Sequence, residues 1–144
     1  MKSKNIRVIA ICVFRHGEKI LICEYFDSVD KKPFYRPLGG AVEFGETTEA
    51  AVKREIREEI GQEITDLKLL TILENIFIHE GKTGHEIVYV YEGRFSDKSA
   101  YKQESFTVNE ETETLKASWR PLSFFNEYHR LVPEGLVELL KKKR

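Results

Sequence analysis

Three glutamates, Glu55, Glu58 and Glu59, fall within five residues near the end of the segment GGAVEFGETTEAAVKREIREEIG. Like charges at this spacing destabilise a helix by roughly a few tenths of a kcal/mol per pair, so the cluster needs a reason. A divalent cation such as Mg²⁺ or Mn²⁺ would neutralise the carboxylates, and both ions prefer oxygen ligands. The spacing indicates a metal site. A solvated acidic helix face is the alternative, because glutamate is a good helix former.

The element that carries these glutamates is predicted to be a helix over residues 47–60. A threonine oxygen can accept hydrogen bonds from the unpaired amides at a helix start, so Thr47 or Thr48 is the expected cap. Gly61 is a natural helix end. At about 100° per residue, the apolar side chains of this helix form one stripe that should face the core, namely Val52, Ile56 and Ile60.

All three glutamates lie on one side of the predicted helix, beside its apolar stripe. Glu59 falls almost on the edge of the stripe, where a carboxylate loses water and its charge becomes more unfavourable. Arg54 can reach Glu58 across one helical turn, but one cation does not neutralise three carboxylates. This placement favours a bound metal over a simple surface helix.

The rest of the chain reads as a mixture of strands and helices, which predicts an α/β layered fold. Runs of β-branched and aromatic residues predict six strands, at residues 6–14, 20–25, 34–38, 67–79, 85–95 and 114–122. The first two strands should form a hairpin, and the fourth and fifth a second hairpin with the turn at GKTG. Two more helices are predicted at residues 124–129 and 133–142, the latter with Pro133 in its first turn.

Length, charge and cysteine content favour some classes of protein and argue against others. With 144 residues the chain fits a single domain over residues 1–144. Its 23 basic and 24 acidic residues nearly balance, which argues against a DNA-binding groove. Cys12 and Cys23 lie in apolar runs without metal-ligand spacing, so we expect reduced, buried thiols in a cytoplasmic protein. No segment reaches the roughly 18 apolar residues of a membrane helix.

The acidic segment resembles the Nudix box, G-x5-E-x7-R-E-U-x-E-E-x-G-U, in which U is a bulky apolar residue. Eight of the nine specified positions match: Gly40, Glu46, Arg54, Glu55, Ile56, Glu58, Glu59 and Gly61. The ninth is Gln62, a polar residue at a position that packs the helix end. The preceding GGAVEFGE segment and the later W-R-P-L segment also resemble this family. The resemblance implies an α/β/α sandwich with a mixed central sheet.

The resemblance further implies hydrolysis of the pyrophosphate bond in a nucleoside diphosphate linked to another group, X. It implies a Mg²⁺ or Mn²⁺ cofactor held by Glu55, Glu58 and Glu59, together with the backbone carbonyl near Gly40. Two bridged phosphates carry negative charge that an acidic site tolerates only with a metal present. A small nucleotide is the expected partner, and the family leaves a homodimer open.

The resemblance also implies roles for residues other than the metal ligands. Glu46 resembles the box glutamate that supports the site, and Arg54 the arginine that orients the carboxylates. The general base is expected at Glu58 or Glu59, while the outside candidates lie in NEETET, where Glu113 is preferred over Glu110 and Glu111.

Substrate contacts are expected just before the paired glycines. Arg36 could bind a phosphate, since a guanidinium suits oxyanions, although a surface ion pair is equally consistent. Tyr35 could stack on a base, as could Phe34 and Tyr25, although strand aromatics more often serve the core.

The substrate itself stays open at this point. Residues 77–79 are Phe-Ile-His, without the proline typical of ADP-ribose enzymes, and Tyr89 lies too far from the box to match dinucleoside polyphosphate enzymes. By default, a nucleoside triphosphate or a nucleotide-sugar is expected. The alternative function is a non-catalytic Nudix-fold module that senses a nucleotide, although such modules usually lose box glutamates.

Overall fold

The computed structural model describes residues 4–142, and ten strands, two helices and two short 3₁₀ turns make up this range. The strands are β1 Ile6–Val13, β2 Arg15–His16, β3 Lys19–Asp27, β4 Lys32–Arg36, β5 Leu38–Ala41, β6 Ile64–His79, β7 Lys82–Phe95, β8 Ser105–Asn109, β9 Thr114–Pro121 and β10 Arg130–Leu131. The helices are α1 Thr48–Ile60 and α2 Leu136–Lys142. The 3₁₀ turns are Lys98–Lys102 and Leu122–Phe124.

The strands form two mixed sheets. The first has the order β5-β1-β7-β6, with β1 and β7 parallel and the other pairs antiparallel. The second has the order β10-β4-β3-β9-β8, with β2 paired to β3. Only the pairing of β10 with β4 is parallel in the second sheet.

A helix covers each side of these sheets. Because successive strand residues point to opposite faces, Ala10 and Cys12 of β1 pack in the same cluster as α1. Ile9 and Ile11 of the same strand pack in a second cluster with α2. The expected α/β/α sandwich is therefore confirmed, with two mixed sheets in place of a single central one. None of the helices within residues 4–142 is long and apolar enough to span a membrane.

Helix α1 has the boundaries that its sequence predicts. Thr47 is the cap, and its side-chain oxygen accepts a hydrogen bond from the amide of Ala50 at 3.1 Å. Gly61 ends the helix in the left-handed conformation at φ 68° and donates its N–H to the carbonyl of Arg57. Val52 and Ile56 are fully buried, which confirms the core-facing stripe.

The first predicted hairpin is wrong. Strand β1 pairs with β5 and β7, and only the two residues of β2 form a hairpin with β3. Beyond them, the amide of Leu21 bonds the carbonyl of Phe14, after which β1 and β3 separate into different sheets. The second hairpin, β6–β7, is confirmed, but its turn lies at Glu80 and Gly81, both with positive φ, a pair that fits a tight two-residue turn.

The C-terminal third differs from the prediction in two places. No helix forms over residues 124–129, because the Asn126 side chain accepts the amide hydrogens of Tyr128 and His129 and holds a turn. The last helix begins at Leu136, three residues after Pro133, since Gly135 has φ 93°, outside the helical region. Residues 96–113, which show no clear pattern, contain the first 3₁₀ turn and β8.

A hydrogen-bonded clasp joins the two sheets at their open ends. Asp27, at the end of β3, is 3% exposed, and its carboxylate accepts the amide hydrogens of Val29 and Asp30. Its second oxygen accepts the amide hydrogen of Glu80, in the β6–β7 turn, at 3.1 Å. The Glu80 carboxylate in turn accepts hydrogen bonds from the amide and hydroxyl of Ser28. One buried carboxylate thus fixes two loops from different sheets.

The clasp predicts a pH-dependent stability. The amide of Asp30, with those of Glu80 and Val29, holds the pKa of Asp27 below its ordinary value of 3.8. A depressed folded-state pKa contributes stability above the unfolded pKa and loses it as pH falls through the folded one. We therefore expect Asp27→Asn to lower the midpoint of urea unfolding at pH 7 and to differ less from the native chain below about pH 3. Asp30→Asn changes an exposed side chain and should match the native chain at both pH values; equal effects of the two substitutions would contradict the role of the clasp.

Candidate active site

The site is built where β5 passes under α1. Gly39 has φ 150°, and a Cβ there would lie 2.1 Å from the carbonyl oxygen of Ala10. At Gly40 a Cβ would lie 2.4 Å from a carboxylate oxygen of Glu55. Only glycine therefore allows the strand to run so close to β1 and the Glu55 carboxylate to lie against the backbone.

Glu59 is the most unusual group of the site. Its residue surface is 2% exposed, and its Oε1 accepts the amide hydrogen of Gly39 at 3.1 Å. Among the residues that the structure describes, its Oε2 has no hydrogen-bond partner. Burial, followed by the negative charge of Glu110, raises the pKa of Glu59 to about 9, despite the opposing charge of Arg36. The protein thus places a carboxylate where its ionised form is unstable without a further cation.

Arg54 connects the remaining box glutamates. Its Nε and Nη2 donate to the two oxygens of Glu46 at 2.7 and 3.0 Å, a bidentate pair that lowers the pKa of Glu46 to about 2. Its Nη1 donates to Glu55 at 2.9 Å and to Glu58 at 3.2 Å, and its Nη2 also donates to the carbonyl of Ala41. The geometry agrees with the orienting arginine that the family resemblance implies, and the strongest partner is Glu46, which is more distant in sequence than Glu58.

The three clustered glutamates differ in environment. Glu55 is half-buried, and burial raises its pKa in spite of the hydrogen bond from Arg54. Glu58 is exposed to solvent over 57% of its side chain. Glu59 is buried, so the three carboxylates form a gradient from the solvent to the interior along one side of α1.

A second group of polar residues lies beside Glu59, on strands β3 and β4. Arg36 donates through Nη2 to the hydroxyl of Tyr25 and to the carbonyl of Gly39, both at 3.4 Å. Its guanidinium lies over the Tyr25 ring at 5.4 Å, and Tyr25 stacks on Phe34 at 5.2 Å. Among the described residues no partner is found for the Nε of Arg36, and no carboxylate forms an ion pair with it. Arg36 is thus a buried cation that interacts with a hydroxyl, a carbonyl and an aromatic ring.

The structure moves two predicted site residues away from this arrangement. Tyr35 points to the opposite face of β4, is 4% exposed and packs on Phe124 and Phe125, so it does not reach the site. The reason is strand alternation, since Arg36 and Phe34 occupy the face that Tyr35 does not. Glu113 is exposed at the end of the β8–β9 turn, directly before β9, and no described side-chain contact ties it to the site.

Glu110 takes the place expected for Glu113. Its Oε1 accepts a hydrogen bond from the Tyr25 hydroxyl at 3.2 Å, and its charge acts on Glu59. From the sequence Glu113 is preferred among the three glutamates in NEETET, but the register of β8 and β9, which the sequence does not show, decides which of them lies near Glu59. That register places Asn109 opposite Thr114 and leaves Glu110 at the end of β8 that adjoins the site.

The residues present fit a divalent metal ion. Glu59 offers a buried oxygen that has no partner in the described part of the chain. The Glu55 carboxylate lies against the Gly40 backbone, and Glu58 is exposed and close to Arg54. All the donors are oxygens, which suits Mg²⁺ or Mn²⁺. Another set of ligand atoms, from Asp27, His79 and Glu80, lies within 4.8 Å in the clasp, but the Asp27 and Glu80 carboxylates there already accept amide hydrogens.

Comparison with known proteins agrees with this geometry. The NUDIX domain profile matches residues 4–139. The chain therefore belongs to the Nudix hydrolase family, whose members generally use divalent metal ions and act on small nucleotides.

Solved structures of this family share the fold at low sequence identity. A Nudix hydrolase from Nitrosomonas europaea has a TM-score of 0.66 at 17% identity, covering 96% of this chain and 88% of that chain. A MutT Nudix hydrolase from Burkholderia pseudomallei has a TM-score of 0.62 at 21% identity, covering 95% and 98%. A protein described as an ADP compounds hydrolase has a TM-score of 0.64 at 15% identity, covering 97% and 74%.

Two arginines on α1 provide a matched test of the Arg54 network. Arg54 is 22% exposed and joins Glu46 and Glu55, which are less than one-fifth exposed. We expect Arg54→Met to lower the free energy of unfolding by about 1–3 kcal/mol, because it leaves partly buried carboxylates without their partner. Arg57 forms a pair with Glu63 in which both side chains are more than half exposed, so Arg57→Met should leave the free energy of unfolding close to the native value. Urea unfolding without added metal measures both; similar losses would show that Arg54 acts only as a surface ion pair.

Proposed function

We propose that this protein hydrolyses the pyrophosphate bond of a nucleoside diphosphate linked to another group, X, with a divalent metal ion as cofactor. The observation that carries the proposal is the buried Glu59 carboxylate beside Glu55 and the Gly39–Gly40 backbone, one oxygen of which has no hydrogen-bond partner within residues 4–142. A purely structural acidic helix would not bury this group, because an uncompensated carboxylate in the interior is strongly unfavourable.

The residues that would hold the metal are Glu55, Glu58 and Glu59, with the carbonyl near Gly40 as a further oxygen. When bound, Mg²⁺ or Mn²⁺ supplies neutralisation of phosphate oxygens and acidifies a water molecule. Arg54 orients two of these carboxylates and is itself held by Glu46 in a bidentate pair. The Gly39 amide fixes one oxygen of Glu59, so the other has a defined direction.

A proton must leave the attacking water, and three carboxylates are candidates for accepting it: Glu58, Glu59 and Glu110. Glu58 is the exposed member of the box and is accessible to a substrate-bound water. Glu59 is the other candidate from the sequence, although its burial and its bond to Gly39 suit a ligand better than a base. Glu110, held by the Tyr25 hydroxyl, is the candidate outside the box.

Arg36 is proposed to bind a phosphate of the substrate. Its guanidinium lies beside Gly39, on the side of Glu59 that faces β3 and β4, and no described carboxylate pairs with it. A planar cation with free donors suits the phosphate next to the one that is attacked. The Tyr25 ring below the guanidinium restricts its position.

A nucleoside triphosphate or a nucleotide-sugar is the proposed substrate class. The chain shares its fold with a protein described as an ADP compounds hydrolase, a description that fits a nucleoside diphosphate linked to X. A panel that contains nucleoside triphosphates, nucleotide-sugars, ADP-ribose and dinucleoside polyphosphates separates these classes by the products released.

The metal proposal predicts that replacing one carboxylate oxygen of Glu59 by an amide nitrogen, as in Glu59→Gln, abolishes most of the activity. Glu59→Gln keeps the size of the side chain and removes its charge, so turnover of the best substrate in the panel with Mg²⁺ should fall by at least about 100-fold. The rise in melting temperature that Mg²⁺ causes in the native chain should also shrink, because a ligand stabilises only the state that binds it.

Glu49→Gln is the matched control for this substitution. Glu49 lies on the same helix but is 58% exposed and pairs with Lys53. Its activity and its Mg²⁺ response should equal those of the native chain. Full activity of Glu59→Gln would contradict the proposed site. If the native chain responds to Mg²⁺ but turns over no nucleotide in the panel, the protein is a sensor and not an enzyme.

The phosphate proposal predicts a specific kinetic change. Arg36→Lys retains the charge but loses the planar donors, so kcat/KM should fall about 10- to 100-fold while the Mg²⁺-induced rise in melting temperature is kept. Arg120→Lys is the control, because the Arg120 guanidinium lies over the Phe124 ring, which packs on Tyr35 on the opposite face. An unchanged kcat/KM in Arg36→Lys would contradict the proposal that Arg36 binds a substrate phosphate.

A further inference from the structure

Glu86, on β7, is a buried carboxylate without a hydrogen-bond donor. It is 8% exposed, whereas the buried carboxylates of Asp27 and Glu59 accept backbone amide hydrogens. No hydrogen bond to Glu86 comes from the part of the chain that the structure describes, and the Nη1 of Arg7, at 3.8 Å, is too distant for one. A buried carboxylate in this state is unfavourable, so a group from outside the chain is expected to bind it.

Glu86 lies on one wall of a cleft, which the β6–β7 hairpin forms. The register places Asn75 directly opposite Glu86, and Phe77 opposite Gly84. Because residues two apart on a strand share a face, these four residues lie on the same side of the hairpin. A Cβ at Gly84 would lie 2.3 Å from the Phe77 ring, so glycine allows this ring to lie against β7. This wall therefore carries an amide, a carboxylate and an aromatic ring.

The other wall of the cleft comes from β3 and β4. The ring of Phe34 lies 5.3 Å from that of His79, which is two residues beyond Phe77 on β6. Phe34 and Arg36, two residues apart, share the face of β4 that is turned toward the hairpin. The Tyr25 ring, stacked on Phe34, belongs to the same wall. Beyond these rings the clasp joins the two loops, so it marks the closed end of the cleft.

Arg36 connects this cleft to the proposed metal site. Its Nη2 donates to the carbonyl of Gly39 at 3.4 Å, and the amide of Gly39 donates to Glu59. Burial lowers the pKa of Arg36, but the charges around it outweigh burial and raise the pKa above its ordinary value of 12.5. These charges belong to Tyr25, Glu59, Glu86 and Glu110. The guanidinium is thus within electrostatic reach of both Glu59 and Glu86, and a nucleotide whose phosphate binds Arg36 can place its base between the two walls.

The cleft suits a planar base with two hydrogen-bond donors on its edge. Tyr25 and Phe34 stack at 5.2 Å, and aromatic side chains of this kind pack on the face of a nucleobase. A carboxylate accepts two hydrogen bonds side by side, and an amide nitrogen beside it donates one. Guanine presents the complement, since its N1–H and 2-amino group donate and its O6 accepts. Adenine and cytosine present one amino donor beside a ring nitrogen that accepts, and a carboxylate repels such an acceptor.

We propose that Glu86 selects guanine nucleotides: its carboxylate accepts hydrogen bonds from N1–H and the 2-amino group, and the Asn75 amide donates to O6. The inference rests on the proposed function, because it places the base relative to a phosphate bound at Arg36. It narrows that function, since the nucleotide that is hydrolysed then carries guanine.

Turnover by the native chain tests the recognition of the 2-amino group. The value of kcat/KM is measured with Mg²⁺ for GTP, ITP and ATP, and ITP differs from GTP only in lacking the 2-amino group. Without that group one oxygen of the Glu86 carboxylate stays unpaired in the interior, so kcat/KM for ITP should be at least about 10-fold below that for GTP. ATP should be a poorer substrate still, because its ring nitrogen faces the carboxylate lone pairs.

Glu86→Gln tests the carboxylate itself. Glutamine offers one acceptor and one donor, a pattern that adenine matches, so the ratio of kcat/KM for GTP to that for ATP should fall about 10- to 100-fold. Glu74→Gln is the matched control, because Glu74 is paired with Ile87 and therefore points to the other face of the hairpin. Its ratio should equal the native one. Circular dichroism and the melting temperature establish whether both variants are folded, and the native comparison of GTP with ITP decides if Glu86→Gln is not.

Binding separates this inference from the hydrolase activity. The Kd values of GDP and IDP with Mg²⁺ are measured by isothermal titration calorimetry, which needs no turnover. GDP bound at least about 10-fold more tightly than IDP supports the role of Glu86 even if no nucleotide is hydrolysed, a result that would contradict only the proposed function. Equal kcat/KM values for GTP and ITP in an active chain overturn the inference and leave the hydrolase in place. An equal loss for all three nucleotides in Glu86→Gln also overturns it, since Glu86 would then act through Arg36 and not on the base.

Discussion

The burial of the Glu59 carboxylate is the constraint on which the site depends. An ionised carboxylate in the interior is tolerated only when charges or donors compensate it, and here the compensation is incomplete. One oxygen accepts the Gly39 amide, the Arg36 cation lies nearby, and the other oxygen has no partner among the described residues. The paired glycines are required by the same constraint, because any Cβ on Gly39 or Gly40 would overlap with Ala10 or with Glu55. The backbone conformation of β5, the packing of α1 and the charge of Glu59 therefore all depend on the contact of Gly39 and Gly40 with Glu55 and Glu59.

Much of this contact could be predicted from the sequence. The helix cap, the helix end and the apolar stripe follow from local rules, and the structure confirms each of them at Thr47, Gly61 and Ile56. The clustering of the glutamates follows from helical periodicity alone. These features are local, since the residues involved are separated by one or two helical turns, and propensity and periodicity describe such separations well.

The features that the sequence did not predict depend on contacts between distant segments. Strand β1 was paired with β3 because they are neighbours in the chain, but β1 runs between β5 and β7 in another sheet. Tyr35, Phe34 and Tyr25 all qualify as base-stacking residues from the sequence, but strand alternation places Tyr35 on the opposite face of β4. The β3–β4 register brings Tyr25 next to Phe34 on the side of the site. From the sequence Glu113 is preferred, whereas the register of β8 and β9 leaves Glu110 next to Tyr25.

The Arg54 network has a consequence for the charge balance of the box. By donating to Glu46, Glu55 and Glu58 at once, the guanidinium reduces the repulsion in the box before any ion arrives. Small metal domains often cannot fold until their ligands are metallated, because nothing else holds those ligands together. Here an internal cation does so, and the two hydrophobic clusters on either side of the sheets form without the box glutamates Glu46, Glu55 and Glu58. The Arg54 cation therefore supplies, from within the chain, part of the charge compensation that these three carboxylates need.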